Sequence, residues 1–253
     1  MLFAIDINND RVIASLAGRN HEYRCPYCLE RVTLKSGLIK RAHFAHKSDT
    51  KCEYAKNSKT EWHYNWQEIF GLDNAEIMLT SCGYKYIADI KIGDTIVEFQ
   101  HSHISSSDIG MRSYFYKLDN KKLYWIFDCQ KSWENKNIRK KRVRKNLNWI
   151  FEWERPHNEI REAFHNSHEV FLQLNENNFV RLTWLGERWS QSAREKVPTL
   201  HNFAGDLMSK EQVVNYIIDN IDYNYEPTPD FEKIGHNYHM VNEWMDMFKA
   251  GVL

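Results

Sequence analysis

Residues 84–100 read YKYIADIKIGDTIVEFQ, two runs rich in Ile, Val and Tyr on either side of Gly93-Asp94. Such residues favour strands, and a Gly-Asp pair between them is a turn signal. The stretch predicts an antiparallel hairpin. Side chains alternate along a strand, so Val97 and Phe99 take one face while Glu98 and Gln100 take the other. Asp89 closes the apolar run Tyr86-Ile87-Ala88. A turn at 93–94 sets it opposite or diagonal to Glu98, so that the two carboxylates converge. Two carboxylates at the end of an apolar sheet are costly unless something compensates them. A divalent cation removes that cost and supplies Lewis acidity for phosphodiester hydrolysis. The plainer reading pairs the same acids with Lys85 and Lys91 on a solvated hairpin face.

Working outward, AEIMLTS (75–81) ends at Cys82-Gly83 and adds a third strand to a meander. The preceding segment SKTEWHYNWQEIF (58–70) carries Trp62, Trp66, Ile69 and Phe70 at i, i+4, i+7 and i+8. That spacing is one stripe of an amphipathic helix, with Ser58 or Asn57 as its cap. Glu61 lies beside the stripe and is a candidate third carboxylate. Downstream, residues 105–117 predict a helix starting near Ser105 or Ser107, and LYWIFDC (123–129) a strand inside a sheet. Helix, three strands, helix, strand predicts an α/β (α+β) core with a mixed central sheet flanked by helices.

The chain has 253 residues, of which 42% are hydrophobic and 14% aromatic, which excludes a disordered chain. No apolar run approaches the ~20 residues of a membrane span. MLFAIDINNDR has no signal-peptide pattern, so a cytoplasmic protein without a membrane partner is expected. The 34 basic and 34 acidic residues are unevenly distributed. Residues 1–150 hold 25 basic and 17 acidic side chains, and residues 151–253 hold 9 and 17. A basic front half points to a polyanionic ligand. Its densest part, KNIRKKRVRK (136–145), contains Arg139, Lys140, Lys141, Arg142 and Arg144. It reads either as a solvated helix or as a track for phosphates, joined on the rim by Arg112.

Residues 23–52 are basic and poor in large aliphatics, so they need a staple. Cys25 and Cys28 form a C-x-x-C that suits a zinc knuckle, and His43 with His46 makes the neatest second pair. Cys52 is the alternative to either histidine. Short strands at 32–35 and 41–45 between the pairs suit a zinc ribbon. A redox C-x-x-C is disfavoured because no strand–helix thioredoxin pattern surrounds it. Residues 1–17 predict a short strand pair around Asn8-Asn9-Asp10.

The run TEWHYNWQ…YIADIKIGDTIVEFQHSHIS…FYKL…YWIFD resembles the competence protein CoiA-like family of restriction-endonuclease-like, PD-(D/E)XK nucleases. The upstream CPYC…AHFAH resembles that family's zinc-binding N-terminal region. The resemblance implies a restriction-endonuclease-like core and makes Glu61, Asp89 and Glu98 ligands of a catalytic Mg²⁺ or Mn²⁺. It sets Gln100 where the superfamily has Lys. A Lys there would position or deprotonate the attacking water, whereas Gln can only hydrogen-bond. Lys91, His63 and Lys117 are candidates for the missing charge, and Gln67 stands where relatives tend to have Lys.

Three parts follow: a zinc-ribbon region at 1–56, a nuclease core at 57–135, and a basic segment with accessory C-terminal structure at 136–253. In the last, a hairpin is expected at 168–185 around Asn175–Asn178. A helix is expected after Ser209, where Ser209 and Gln212 form a capping box. The leading expectation is a metal-dependent nuclease acting on DNA, in competence or in defence against foreign DNA. The alternative is a non-cleaving nucleic-acid-binding protein with a vestigial site. A homo-oligomer, or a partner protein from a defence or recombination system, fits either.

Overall fold

The computed structural model describes residues 1–56, 59–81, 83–141, 149–154, 159–189 and 198–223, and the chain forms two compact units, Met1–Ile90 and Lys91–Leu253.

The first unit opens with five short strands, β1 (Phe3–Ile5), β2 (Arg11–Ile13), β3 (Tyr23–Arg24), β4 (Arg31–Lys35) and β5 (His43–Ala45). They form an antiparallel sheet in the order β2-β1-β3-β4-β5. The expected strand pair is β1–β2. Its turn is held by Asp6 Oδ1, which accepts the backbone N–H groups of Asn8 (2.8 Å) and Asp10 (2.9 Å). Asn9 takes φ +65°, a conformation Asn tolerates. The core under this sheet is small: Ala4, Ala14, Tyr23, Val32 and Phe44, completed by Cys25 and Cys52.

Helix α1 (Glu61–Ile69) starts later than expected, with Thr60 at its N-cap position, and buries Tyr64, Trp66 and Gln67. The anticipated caps Asn57 and Ser58 lie outside the described residues. Strands β6 (Ala75–Ser81) and β7 (Tyr84–Ile92) pair antiparallel, with Ile77 opposite Ala88 and Leu79 opposite Tyr86. Glu76 interrupts that ladder at φ +51°. Its Oε2 accepts the backbone N–H groups of Leu2 (2.9 Å) and Phe3 (3.3 Å), and Arg11 donates to the Asp73 carbonyl (3.1 Å). These long-range bonds join the start of β6 and the turn before it to the N-terminal strands. A division at 56/57 was expected; the compact unit runs on to Ile90.

The second unit comprises β8 (Thr95–Gln100), α2 (Ser106–Leu118), β9 (Lys122–Asp128), α3 (Gln130–Glu134), β10 (Ile138–Lys140), β11 (Trp149–Trp153), α4 (Glu159–Asn166), β12 (Glu169–Gln173), β13 (Asn178–Trp189), β14 (Pro198–Ser209) and α5 (Lys210–Asp219). Its described strands follow the order β10-β11-β14-β13-β12-β9-β8. β8–β9 and β9–β12 are parallel and the other pairs antiparallel, so the sheet is mixed. Parallel neighbours need a crossover, which α2 provides between β8 and β9. Ser105 caps α2 by accepting the Asp108 N–H, and α2 packs on α4. In chain order, α1, β6, β7, β8, α2 and β9 reproduce the expected helix, three strands, helix, strand.

Residues 168–189 form the expected hairpin, with Asn175 Oδ1 accepting from Asn177 and Asn178. The capping box of Ser209 and Gln212 is present at the start of α5. What was read as accessory structure extends the core sheet, because β12 pairs directly with β9, whose residues Leu123 to Phe127 are buried. Gly93 has φ +54°, and a Cβ there would lie 2.3 Å from the Asp222 carbonyl, so this turn requires glycine. Beside it, Asp94 Oδ1 accepts the Asp222 N–H (2.9 Å) and Oδ2 pairs with Lys122 (2.9 Å).

Candidate functional site

In the first unit, Cys25, Cys28, His46 and Cys52 bring one ligand atom each to within 4.8 Å of one another, and Cys28 Sγ is 3.3 Å from His46 Nε2. The knuckle is built locally: Leu29 N–H donates to the Cys25 carbonyl (2.9 Å) and Leu29 adopts φ +62°. Cys52 is brought in by Thr50, whose Oγ1 accepts the Cys52 N–H (3.1 Å). Three sulfurs and one imidazole are a donor set that suits a tetrahedral zinc ion. Burial pushes the Cys25 thiol up to about 12, against backbone N–H bonds that pull it down, and also raises Cys28. Burial lowers His46, favouring the neutral ring that ligates metals.

His43 is outside this cluster and Cys52 takes the fourth place, which corrects the preferred histidine pair. His43 sits opposite Lys35, towards the hairpin tip, and its Nδ1 is 2.9 Å from the Arg41 carbonyl. His46 lies just beyond the other end of β5. An odd spacing along an extended chain sends successive side chains to opposite faces, and only His46 lies among the cysteines.

Asp89 belongs to the first unit and Glu98 to the second. Asp89 is buried on β7, and Lys59 Nζ donates to its Oδ1. Lys59 also lies 3.7 Å from Glu76 Oε1, and the three side chains are 8%, 8% and 2% exposed in the order Lys59, Asp89, Glu76. Gln67, fully buried on α1, donates from Nε2 to the Asp89 carbonyl (3.4 Å). Gln67 Oε1 and Glu76 Oε1 have no hydrogen-bond donor among the described residues. The surroundings of Asp89 are therefore rich in oxygen acceptors, with Lys59 among them. Sequence reasoning missed Lys59 and Glu76. The only signal was an acid directly after Ala75 in an apolar strand, where a charge needs a partner.

Glu61, the expected third carboxylate, is at the exposed start of α1 and pairs with Arg41 (3.4 Å), which also binds Glu68. Neither acid is part of the Lys59 cluster. The position follows from the helix phase: Glu61 lies off the Trp66 face that packs inward. His63 Nδ1 is 3.0 Å from Thr60 Oγ1.

Glu98 is 1% exposed on β8. Arg112 Nη1 donates to its Oε2 (2.9 Å) and the Tyr116 hydroxyl to its Oε1, both from α2. Arg112, expected on the phosphate rim, thus pairs with a buried carboxylate of β8. Gln100 Nε2 donates to the Ser102 carbonyl, and Lys91 Nζ to the Gly93 carbonyl (3.3 Å). His101 Nδ1 is 2.6 Å from Asp128 Oδ2.

The basic run forms no helix where it is described. β10 lies antiparallel to β11, with Arg139 opposite Glu152. Arg139 pairs with Glu154 (2.7 Å), Lys141 with Glu152 (3.1 Å), and Lys140 Nζ lies 3.0 Å from the Trp149 ring centroid. The acids of the following strand thus partly neutralise these cations. Arg142 and Arg144 lie outside the described residues.

No helix among the described residues is long and apolar enough to cross a membrane. No curated protein and no solved structure matches the chain significantly. Two family models do match: the N-terminal domain of competence protein CoiA over residues 5–55, and the CoiA nuclease-like domain over residues 86–194. The first contains all four members of the thiol–imidazole cluster, and the second contains Asp89, Glu98 and Gln100. Together the two matches cover more than half of the sequence, and the chain belongs to the competence protein CoiA family.

Proposed function

We propose that this chain is a metal-dependent nuclease that hydrolyses phosphodiester bonds in DNA, in competence or in defence against foreign DNA. Asp89 and Glu98 are the carboxylates that hold Mg²⁺ or Mn²⁺ in this reading. Zinc bound by Cys25, Cys28, His46 and Cys52 braces the N-terminal region. The observation that carries the proposal is the buried, acceptor-rich surround of Asp89, which includes Lys59, in a chain whose family includes a nuclease-like domain. When bound, the divalent ion would supply Lewis acidity at the scissile phosphate. Arg112 and Tyr116 fix the Glu98 carboxylate in one orientation. Lys59 contributes a cation beside Asp89, a charge able to stabilise a developing phosphate oxygen. Gln100 orients water by hydrogen bonding.

One observation favours a second reading. Asp89 and Glu98 each already have a cationic partner, Lys59 and Arg112. A vestigial site stabilised by those ion pairs would bind nucleic acid without cutting it. Incubation of the full chain with single- and double-stranded DNA in Mg²⁺ or Mn²⁺, beside Asp89→Ala, Glu98→Ala and Lys59→Met, separates the two. The nuclease reading expects cleavage by the native chain and loss of at least about 100-fold in each variant, the lower range for removing one acid–base or electrostatic group. Absence of cleavage by the native chain on every substrate refutes it and leaves the binder.

A further inference from the structure

The loop joining β4 and β5 projects two large aliphatic side chains into solvent. Leu38 is 106% exposed and Ile39 98%. Isolated exposed aliphatics are ordinary, but two adjacent ones at the tip of a hairpin are a directed apolar point. The tip is held rather than loose: Arg19 Nε donates to Ser36 Oγ (3.2 Å) and its Nη2 to the Ser36 carbonyl (3.0 Å). The charge around it is one-sided. Residues 31–48, RVTLKSGLIKRAHFAHKS, contain five Lys or Arg and no Asp or Glu. Arg31 and Arg41 are paired with Glu22 and with Glu61 and Glu68. Lys35 and Lys40, which flank the tip, have no carboxylate partner among the described residues. A groove of about 950 Å³ runs along this hairpin, lined by Arg19, His21, Lys35, Lys40 and His43 around Leu34.

We infer that the β4–β5 tip is a wedge for nucleic acid: Leu38 and Ile39 insert between neighbouring bases while Lys35, Lys40 and Arg19 hold the phosphates on either side. Aliphatic wedges that unstack a base step, set among cations that grip the backbone, are a general way to open or bend a duplex. A protein groove would leave the flanking lysines unmatched unless it were acidic, whereas a strand of phosphates supplies the counter-charge at every nucleotide. The hairpin is rigid enough to deliver the point, because its base carries two members of the thiol–imidazole cluster, His46 just after β5 and Cys28 just before β4. The inference rests on the proposal that nucleic acid is the ligand, and it adds which residues enter the stack.

The test uses the full zinc-loaded chain in magnesium-free buffer, so that binding is read without cleavage. A forked duplex carries 2-aminopurine at the junction. The native chain is expected to raise 2-aminopurine fluorescence on binding. Leu38→Ser/Ile39→Ser loses that rise and weakens binding about tenfold, the loss expected for a stacking contact, with the salt slope unchanged. Leu38→Phe keeps the rise, which separates loss of the wedge from loss of the fold. Lys35→Ala/Lys40→Ala keeps the apolar point but lowers the salt slope by about 2, near one unit per phosphate contact. Unchanged fluorescence and affinity in Leu38→Ser/Ile39→Ser overturn the wedge, and DNA cleavage by the native chain would then still stand. A native chain that binds no DNA in this buffer overturns the wedge, and absence of cleavage in Mg²⁺ or Mn²⁺ as well overturns the nuclease reading.

Discussion

Lys59→Met is the most informative single substitution in the first unit. The native arrangement sets one ammonium between Glu76 and Asp89, all three side chains no more than 8% exposed. At 3.7 Å from Glu76, a unit charge pair in an effective dielectric of 20 interacts by about 4 kcal/mol, an upper figure that desolvation reduces. Removing one partner of a buried pair costs about 3–5 kcal/mol, because the other charge stays buried and uncompensated. Here two carboxylates are left behind, so the upper part of that range applies. In a chain of this size each kcal/mol moves the melting temperature by about 2–4 °C, giving a fall of roughly 8–20 °C. Hydrogen exchange localises the loss: the amides of Leu2 and Phe3, which donate to Glu76, should lose protection along with β6. Asp89→Asn added to Lys59→Met should restore at least about half of the loss, since neighbouring charges are coupled. A Lys59→Met protein as stable as the native chain, or one that Asp89→Asn worsens additively, would refute the buried ion cluster. The proposed role of Lys59 at phosphate would then fall with it.

Other expectations concern separate parts of the molecule. The chain should hold about one zinc ion, retained in His43→Asn but lost with Cys52→Ser, as read by metal analysis after gel filtration; the reverse pattern would restore the histidine pair. Chelation should unfold the N-terminal strands, whose small core includes two of the cysteines. Burial pushes the Asp94 carboxyl up, but the Asp222 N–H, Lys122 and Thr95 outweigh it and hold it below the usual range. Its contribution is thus present above the unfolded-state value and is lost as pH falls through the lowered folded value. Asp94→Asn should flatten the acid limb of a stability-against-pH curve, and an unchanged limb would assign that dependence elsewhere. Ser209→Ala should cost about 1 kcal/mol by removing the capping box of α5, visible as faster exchange at Gln212 N–H.

Some of this architecture is local and was readable from residue order. The β1–β2 and β12–β13 hairpins follow from Asp6 and Asn175, whose side chains close their own turns within four residues. α2 and α5 follow from serine caps three residues from their partners. β9 follows from an unbroken apolar run, whose burial on both sides needs parallel neighbours. The cysteine spacing marked a metal centre for the same reason, since a knuckle is a short-range object.

The misreadings share one cause, interactions between distant residues. The choice of Cys52 over His43 depends on how far along β5 each ring sits, which spacing alone does not state. The pairing of Arg112 with Glu98 was not foreseen because nothing in its neighbours predicts a buried glutamate on β8. Lys59 sat in an unremarkable polar stretch and Glu76 in an apolar one, and only folding places them together. The basic run became an edge strand because acids on β11 came to lie opposite it.

The sequence by itself determined the element order from α1 to β9, the Asp6 and Asn175 turns, the Ser105 and Ser209 caps and the cysteine motif, because each is settled by residues within a few positions of one another. The tertiary structure alone decided which charge meets which, since burial makes an unpaired carboxylate costly and the nearest available cation is chosen by packing across tens of residues.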